Sequence, residues 1–287
     1  MRSLKFKQVD VFTRTPFSGN PVAVVLEAGD LSGADMQRIA AWTNLSETTF
    51  VLAPGSASAD YRLRIFTPRA ELPFAGHPTI GSAHAVLEAG IVKPKAGRLR
   101  QECGAGILEL QVEGETLWLE APPATHAPLN DVDFLLLKKS LKEEIRQSPM
   151  IIDVGPRWLV AELAGAGEVA ALVPDMQLVA DLSNRLSIGG VTVYGASGDG
   201  QSALHVRSFA PAHGIAEDPV CGSGNISVAA YLMKTGQAAR VGARYTARQG
   251  MQLGRDGRVS IRIEGGKIFL GGGAVTCIEG SLRVPPR

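Results

Sequence analysis

The sequence predicts an α+β protein of two related halves, each mostly β-sheet wrapped around one buried helix. Three observations support this prediction. Short runs of β-branched and apolar residues recur along the chain, two glycine-containing signatures each precede an almost wholly apolar helix, and the two halves repeat one another. With 287 residues, 45% of them hydrophobic, the chain can bury a substantial core in each of two domains.

The repeat is visible at two places. Residues 71–90, "ELPFAGHPTIGSAHAVLEAG", match residues 217–236, "EDPVCGSGNISVAAYLMKTG", at six positions when the chain is shifted by 146. Upstream, "DMQRIAAWTN" (35–44) matches "DMQLVADLSN" (175–184) at an offset of 140. Both segments occur in the same order in each half, which indicates a duplicated architecture.

The sequence of the first half predicts the following elements, in chain order. "FKQVDVFTR" and "NPVAVVLEA" predict strands, and "LSGADMQRIAAWTN" predicts a helix with a possible Ser32 cap. "TTFVLAP" and "YRLRIFTP" predict two more strands. "TIGSAHAVLEAG" predicts a helix ending at Gly90, and because it has almost no polar face we expect it to be buried.

In the second half the corresponding buried helix is "ISVAAYLMKTG". Strands are expected in the remaining β-rich segments, which are "GILELQVEGETLWLEAP", "RWLVAEL", "ALHVRSF" and "VSIRIEGGKIFLGGGAVTCIEG". The segment 122–149 is proline-rich and then helical and charged, so we expect it to link the halves. The predicted domains are 1–121, completed by a C-terminal strand at 276–287, and 122–275.

Composition excludes several classes of function. With 29 Lys+Arg against 28 Asp+Glu, the chain has no basic footprint for nucleic acid or an anionic membrane. No apolar run is long enough to span a bilayer, and the first residues lack the pattern of a signal peptide. Three widely spaced cysteines predict free thiols in the cytoplasm, and the scattered histidines predict no metal site. We also expect no cofactor.

Both signatures place a glycine-containing turn directly before a buried helix. The first amides of such a helix have no internal acceptor, and its dipole places partial positive charge there. A small carboxylate or phosphate is the natural ligand of this arrangement, so the sequence predicts a small anionic substrate. Taken singly, either copy could be no more than the start of a helix, with Pro78 in the first turn.

Four segments carry a family resemblance. "FSGNPVAVV", "NLSETTFV", "FTPRAELPFAGHPT" and "GIAEDPVCGSGN" resemble the signatures of the PhzF family of phenazine biosynthesis, within the diaminopimelate-epimerase-like superfamily, and they occur in the family's order. The resemblance implies two domains, each a mostly antiparallel β-barrel around a central helix, with the active site between them. It also implies a homodimer and cofactor-free isomerisation of trans-2,3-dihydro-3-hydroxyanthranilate.

The resemblance also implies roles for particular residues. The general acid/base falls on Glu47, and its catalytic partners fall on His77 and Asp218. The substrate-binding residues it implies are Asn20, Gly76, His77, Gly222 and Ser223. Structural alternatives stay open for all of these: His77 as a buried hydrogen-bonded histidine, Asp218 as a turn residue and Ser223 as a helix cap.

Glu47 is also a candidate from its surroundings. It lies among apolar and hydroxyl residues just before the predicted strand "TTFV", where partial burial would raise the pKa of a carboxyl group. Extending the offset of 140 aligns Glu47 with Ser187, so only one half carries the acid.

Cys221 is a possible second base. Racemases of the superfamily use two opposed thiols, but the position that matches Cys221 in the first signature is Ala75. A two-thiol mechanism is therefore excluded, whereas a Glu47/Cys221 pair stays open, because a helix N-terminus can lower a thiol pKa. A small buried residue packing under the loop is the alternative interpretation of Cys221.

The sequence thus predicts a cytoplasmic, cofactor-independent isomerase that moves a proton on a small carboxylic acid by general acid/base chemistry. Two alternatives stay open: an amino-acid-type epimerase or racemase that uses Glu47 and Cys221, and a non-catalytic small-molecule binder. The substrate itself cannot be named from these residues.

Overall fold

The computed structural model describes residues 1–285, and residues 286 and 287, the end of the predicted strand 276–287, lie outside the described residues. The chain divides into two compact units. The first comprises Met1–Glu120 together with the chain from Gly271 onward, and the second comprises Ala121–Leu270. Each unit mixes strands with helices, as the sequence predicts.

The strands of the described chain, in order, are β1 Arg2–Val11, β2 Asn20–Val25, β3 Thr48–Leu52, β4 Tyr61–Phe66, β5 Glu71–Leu72, β6 Arg98–Cys103, β7 Gly106–Glu113, β8 Thr116–Glu120, β9 Thr125–Pro128, β10 Met150–Asp153, β11 Arg157–Glu162, β12 Gly190–Ala196, β13 Leu204–Ala210, β14 Ile215–Asp218, β15 Arg244–Gln249, β16 Gly257–Glu264, β17 Lys267–Gly272 and β18 Ala274–Val284.

The helices are α1 Gly33–Thr43, α2 Gly76–Glu88, α3 Asp131–Leu141, α4 Ala166–Ala171, α5 Met176–Leu186, α6 Gly222–Lys234 and α7 Ala238–Val241. Two 3₁₀ turns cover Pro211–His213 and Met251–Leu253. No helix among residues 1–285 is both long enough and apolar enough to cross a membrane.

Strand pairing in the first unit alternates between antiparallel and parallel. β1 pairs antiparallel with both β18 and β2, and β2 then runs parallel to β3. β3 pairs antiparallel with β4, which pairs antiparallel with the short β5 and parallel with β6. β6, β7 and β8 form an antiparallel meander. The parallel pair β2/β3 places Thr48, the first residue of β3, opposite Ala23 in the middle of β2.

The second unit repeats this order of pairings. β10 pairs antiparallel with β11, β11 runs parallel to β12, and β12 pairs antiparallel with β13. β13 pairs antiparallel with the short β14 and parallel with β15, which pairs antiparallel with β16. The order is that of β1 to β7, so the repeat in the sequence corresponds to a repeat in topology. Closure of each sheet into a barrel stays a prediction.

Each unit contains a mostly buried helix, α2 in the first and α6 in the second. Nine of the residues of α2 are buried, and ten of those of α6. Gly81 explains how closely α2 approaches its sheet: a Cβ at this position would lie 2.4 Å from a methyl group of Val22 and 2.8 Å from one of Val11. Only glycine permits this approach, which brings the N-terminal turn of α2 to the start of β2.

The segment 122–149, expected to link the halves, is part of the second unit. It contains β9, which pairs antiparallel with β10, and α3. Leu137 and Leu141 of α3 are buried in a core that also contains Val179 and Leu182 of α5. This segment is therefore packed structure and not an open linker.

Candidate active site

Glu47 lies one residue before β3. Helix α1 ends at Asn44, whose left-handed conformation (φ 55°) turns the chain toward the sheet. The backbone carbonyl of Glu47 accepts a hydrogen bond from the amide of Ala23 at 3.4 Å, which holds the backbone of Glu47 beside the middle of β2. Its side chain is 16% exposed, so the partial burial expected from the sequence is present.

His77 occupies the second position of α2. It is buried, and its ring hydrogen-bonds the backbone of Pro21, which has only a carbonyl to offer. Nε2 has no hydrogen bond of its own among the described residues, so the donor to Pro21 is Nδ1–H. Nε2 lies 3.3 Å from Oε2 of Glu47, which makes a close pair of the two side chains.

Burial controls the protonation of this pair. It lowers the pKa of His77 to about 3, although the hydrogen bond to Pro21 acts in the opposite direction. The ring is therefore neutral at physiological pH, with its proton on Nδ1 and a lone pair on Nε2. An ionised carboxylate would repel that lone pair, whereas a protonated Glu47 could donate to it. Nε2 of His77 is therefore able to accept a hydrogen bond from Glu47 whenever that carboxyl group holds a proton.

Two further contacts hold α2 and its neighbouring strands in position. The hydroxyl groups of Thr49 on β3 and Ser82 on α2 lie 2.8 Å apart, and Thr49 also bonds the carbonyl of Ala23. On the hairpin before α2, the guanidinium of Arg64 makes two hydrogen bonds of 2.7 Å to the carboxylate of Glu71. These hydrogen bonds tie α2 to β3 and β4 to β5.

In the second unit, Asp218 is the last residue of β14. Its Oδ1 accepts a hydrogen bond from the amide of Val220 at 3.0 Å, so the aspartate does shape the turn into α6, as its structural alternative proposed. Burial raises the pKa of Asp218 to about 6, with the nearby charge of Glu217 also raising it and a hydrogen bond from Cys221 lowering it. A carboxyl group with this pKa exists in both forms near neutral pH.

Cys221 is the N-cap of α6 and not an exposed thiolate. Its side chain is buried, and Sγ accepts a hydrogen bond from the amide of Gly224 at 3.3 Å. A helix N-terminus can lower a thiol pKa, but here burial, together with the charge of Asp218, raises the pKa of Cys221 well above its ordinary value. The interpretation of Cys221 as a small buried residue under the loop agrees with this environment.

Ser223 does not cap the helix, because Cys221 does. It lies in the first turn of α6, where its hydroxyl oxygen accepts a hydrogen bond from the indole of Trp158 at 2.9 Å. Gln249 braces the same turn: its side-chain oxygen accepts from the amide of Cys221 at 3.2 Å, and its side-chain nitrogen donates to the carbonyl of Asp218 at 3.0 Å. The amides of Gly222 and Ser223 cannot find acceptors within the helix.

In α2 the corresponding amides are those of Gly76 and His77. The N-cap residue Ala75 offers no side-chain hydrogen bond to them. Asn20 is the first residue of β2 and is only 1% exposed. The next residue of the "GNP" motif, Pro21, contacts the ring of His77 through its backbone carbonyl.

The helix caps correct the register of the repeat. Ser32 caps α1 and Asp175 caps α5, and the helices end at Asn44 and Ser187, so the helices correspond at an offset of 143 and not 140. Ser187 is thus the counterpart of Asn44, and Glu47 corresponds to Gly190. The second half still has no acid at this position, so the conclusion that the two halves differ in chemistry is unchanged.

Sequence reasoning missed three contributors to these sites: Pro21, Trp158 and Gln249. No sequence pattern marks a backbone carbonyl or an indole that forms a hydrogen bond with a residue distant in the sequence. The pair Arg207–Glu217 was also missed, and here a signal existed. Arg207 and Phe209 stand 143 positions after Arg64 and Phe66, so the corrected offset would have found both.

The comparison with protein families decides the identity of the chain. The family described as phenazine biosynthesis-like protein (PhzC-PhzF) matches residues 9–280. The chain belongs to the PhzF family. Its relatives include "Antisense-enhancing sequence 1" of Schizosaccharomyces pombe, 42% identical, with 98% of this chain and 99% of the relative covered.

Other PhzF relatives carry an activity in their names. Trans-2,3-dihydro-3-hydroxyanthranilate isomerase of Pseudomonas aeruginosa is 35% identical, with 91% of each chain covered. Among solved structures, the PhzF-family phenazine biosynthesis protein of Bacillus anthracis superposes with a TM-score of 0.86 at 25% identity, covering 99% of this chain and 100% of that one. Homologues and structural neighbours together indicate a PhzF-like isomerase or epimerase.

Proposed function

We propose that this protein is a cofactor-independent isomerase that moves a proton within a small unsaturated carboxylic acid. The reaction would be of the kind named for its relative, trans-2,3-dihydro-3-hydroxyanthranilate isomerase. The observation that carries the proposal is the 3.3 Å contact between Oε2 of Glu47 and Nε2 of a buried, neutral His77. It supplies a positioned carboxyl group beside a ring that can hold it in its acid form.

Glu47 performs both proton transfers in this proposal. As a carboxylate it takes a proton from one carbon of the substrate, the double bond shifts, and the carboxylic acid returns the proton to another carbon. No atom or electron pair is gained or lost overall. His77 orients Glu47 and accepts its hydrogen bond whenever the acid form is present, which keeps the proton available between the two steps.

The second unit, like the first, has a helix N-terminus that can bind an anion. The amides of Gly222 and Ser223 begin α6, and those of Gly76 and His77 begin α2, so both helices offer backbone donors to an anion. Asp218, with its pKa raised to about 6 by burial, can accept from a substrate hydroxyl or amine when ionised. Trp158 orients the Ser223 hydroxyl through its hydrogen bond.

The environment of Cys221 argues against the epimerase alternative. A second base must lose its proton at working pH, but burial raises the pKa of this thiol, and its sulfur already accepts the amide of Gly224. A single carboxyl group returns the proton to the face from which it came, so it shifts a proton without inverting a carbon. Retention of Glu47 against His77 argues against a binder that has lost its chemistry.

The proposal is tested by measuring whether the protein converts carboxylic acids into products. Purified protein is incubated with trans-2,3-dihydro-3-hydroxyanthranilate and with a panel of small cyclic and amino carboxylic acids, and products are separated by mass spectrometry and chiral chromatography. We expect a positional isomer from the wild type and a loss of about 10²–10⁴ in kcat for Glu47→Gln. Glu27→Gln, at a side chain that is 61% exposed, is the matched control and should retain full activity.

Three outcomes would overturn the proposal. Absence of turnover with every acid would favour a binder, and a product of inverted configuration would favour an epimerase with two bases. Normal turnover by Glu47→Gln would remove Glu47 from the mechanism. The thermal midpoint of Glu47→Gln should stay near that of the wild type, which separates a catalytic effect from misfolding.

A further inference from the structure

A cavity lined by residues outside the candidate active site lies within the second unit, near the C-terminal end of α6. Its volume is about 240 Å³. Polar lining comes from Glu162 at the end of β11, Tyr194 on β12, and Gln237 and Arg240 just after α6, while Leu204 and Leu232 contribute apolar walls. Ser223 belongs to the first turn of α6, and a helix of 13 residues is about 20 Å long, so this cavity is at the other end of the helix.

Glu162 gives the cavity its chemistry. The residue is 8% exposed, and its Oε2 accepts a hydrogen bond from Nε2 of Gln237 at 3.0 Å. The hydroxyl of Tyr194 also hydrogen-bonds this carboxylate. Burial, together with the charge of Glu162, raises the pKa of Tyr194 well above its ordinary value, so the phenol keeps its proton and stays a donor. Both partners are neutral.

The carboxyl group of Glu162 is buried, and its hydrogen-bond partners Gln237 and Tyr194 are both neutral. Within residues 1–285, no Lys, Arg or His forms an ion pair with Glu162. Burying a charge without a counter-charge is costly, and a carboxylate can accept more hydrogen bonds than the two it receives here. The C-terminal end of α6 adds partial negative charge nearby. The interior of the cavity therefore favours a cationic group with several hydrogen-bond donors.

Arg240 supplies the opposite charge in the lining of the same cavity. It is exposed, and across the described chain its guanidinium has no carboxylate partner. A guanidinium binds a carboxylate through two parallel hydrogen bonds, so it suits an anionic group on the ligand. At about 30 Å³ for each water-sized group, the cavity holds roughly eight such groups. The cavity therefore has room for a small molecule, and its lining suits one with a cationic and an anionic end.

We propose that this cavity binds a small α-amino acid, with its ammonium group against Glu162 and its carboxylate against Arg240. The apolar walls, which include Leu204 and Leu232, would receive a short side chain. This site is independent of the proposed isomerase chemistry, because none of its residues belongs to the groups assigned to proton transfer or substrate recognition.

The experiment is calorimetric titration of the full-length protein with glycine, L-alanine and L-serine, with ethylammonium and acetate as half-ligands. We expect one of the amino acids to bind more tightly than either half-ligand. Arg240→Ala should weaken that binding about 10–100-fold, the value of one charge-assisted hydrogen bond of about 1.5–3 kcal/mol. Lys234→Ala removes an exposed positive charge from the last turn of α6 without touching the cavity, and it should bind as the wild type does.

Glu162→Gln tests the other end of the ligand and should abolish binding. If this buried substitution prevents folding, as a melting curve would show, the comparison of Arg240→Ala with Lys234→Ala still decides the question. The inference is wrong if no amino acid binds at millimolar concentration, or if Arg240→Ala binds like the wild type. Ethylammonium binding as tightly as L-alanine would also overturn it, because the carboxylate would then have no role.

Discussion

The guanidinium of Arg207 donates two hydrogen bonds, of 2.9 and 2.8 Å, to the carboxylate of Glu217, and both side chains are only 6% exposed. Arg207 also donates to the carbonyls of Val169 and Leu172. The pair spans β13 and β14 directly before Asp218. Arg64 and Glu71 form the same bidentate pair across β4 and β5, but there the side chains are 24% and 43% exposed.

We expect the two pairs to differ in their effect on stability. Arg207→Met leaves Glu217 buried and unpaired, so it should lower the free energy of unfolding by about 3–5 kcal/mol. Arg64→Met breaks the more exposed pair and should cost about 1 kcal/mol or less. Urea unfolding of both variants measures the difference. Equal losses would show that burial does not control the strength of these pairs.

His77 should make the fold sensitive to acid. Burial lowers the pKa of His77 to about 3, against 6.5 for the free side chain, so between these values the unfolded chain binds a proton that the folded chain does not. The stabilising effect of the neutral ring is complete above pH 6.5 and is lost progressively toward pH 3, by up to about 1.4 kcal/mol per pH unit.

The measurement is the free energy of unfolding between pH 7.5 and 4.5. His77→Gln should show a shallower decline than the wild type. His213→Gln is the matched control, because it removes an exposed histidine in place of a buried one. A decline of the same slope in His77→Gln would mean that His77 titrates normally in the folded protein.

Asp218 should make the opposite contribution. Burial raises the pKa of Asp218 to about 6, against 3.8 for the free side chain, so the ionised form destabilises the fold at neutral pH. This cost disappears as the pH falls through 6 toward 4, where the folded protein holds the proton. Asp218→Asn should therefore raise the free energy of unfolding at pH 7.5 by about 1–3 kcal/mol, while reducing kcat.

Asp181→Asn is a suitable control for Asp218→Asn because Asp181 is exposed on α5. Its stability should stay within about 0.5 kcal/mol of the wild type. A destabilised Asp218→Asn variant at pH 7.5 would contradict the prediction and would indicate that the turn before α6 needs the charge. Measurement at pH 4.5, where the gain should shrink, checks that titration is the cause.

Cys221 should be replaceable by serine at little cost. Its sulfur caps α6 by accepting the amide of Gly224, and a serine hydroxyl is a good substitute for this cap. Cys221→Ser should keep most of the turnover and stability, whereas Cys221→Ala should lose about 0.5–2 kcal/mol of stability without losing its chemistry. Loss of turnover in a folded Cys221→Ser would make the thiol a catalytic base.

Alkylation gives an independent check on the thiols. Cys103 and Cys277 are partly exposed, whereas Cys221 is buried and its pKa is raised by burial. Iodoacetamide should therefore modify Cys103 and Cys277 first and leave turnover intact, as peptide mass mapping alongside an activity assay would show. Rapid inactivation that tracks modification of Cys221 is the contrary result.

Local patterns predicted much of what the structure contains. The Ser32 cap follows from a serine three residues before an acid, and the buried helices α2 and α6 follow from runs without a polar face. The offset of 140 between the upstream helices was too small by three residues. The shared "DMQ" begins at the N-cap Asp175 in α5, but it begins one turn inside α1, at Asp35. Sequence identity there does not mean the same position in the helix.

The candidate site was harder to predict in detail. The position of Glu47 beside His77 depends on the parallel register of β2 and β3 and on the close approach permitted by Gly81. These are long-range features that no local pattern encodes. The raised pKa of Cys221 could not be predicted for the same reason. The helix N-terminus is visible in the sequence, but the burial that outweighs its effect on the thiol is not. The catalytic roles themselves stay predictions.

The pairing of β1 with β18 has a consequence for biosynthesis. Arg2 pairs with Val284 and Val11 with Ala274, so β1 waits for a partner strand that is translated only after the whole second unit. The second unit, in contrast, is continuous from Ala121 to Leu270. It can fold during synthesis, whereas the first unit must keep β1 unpaired on that side until β18 has been translated. A stalled or truncated chain would expose this edge to aggregation.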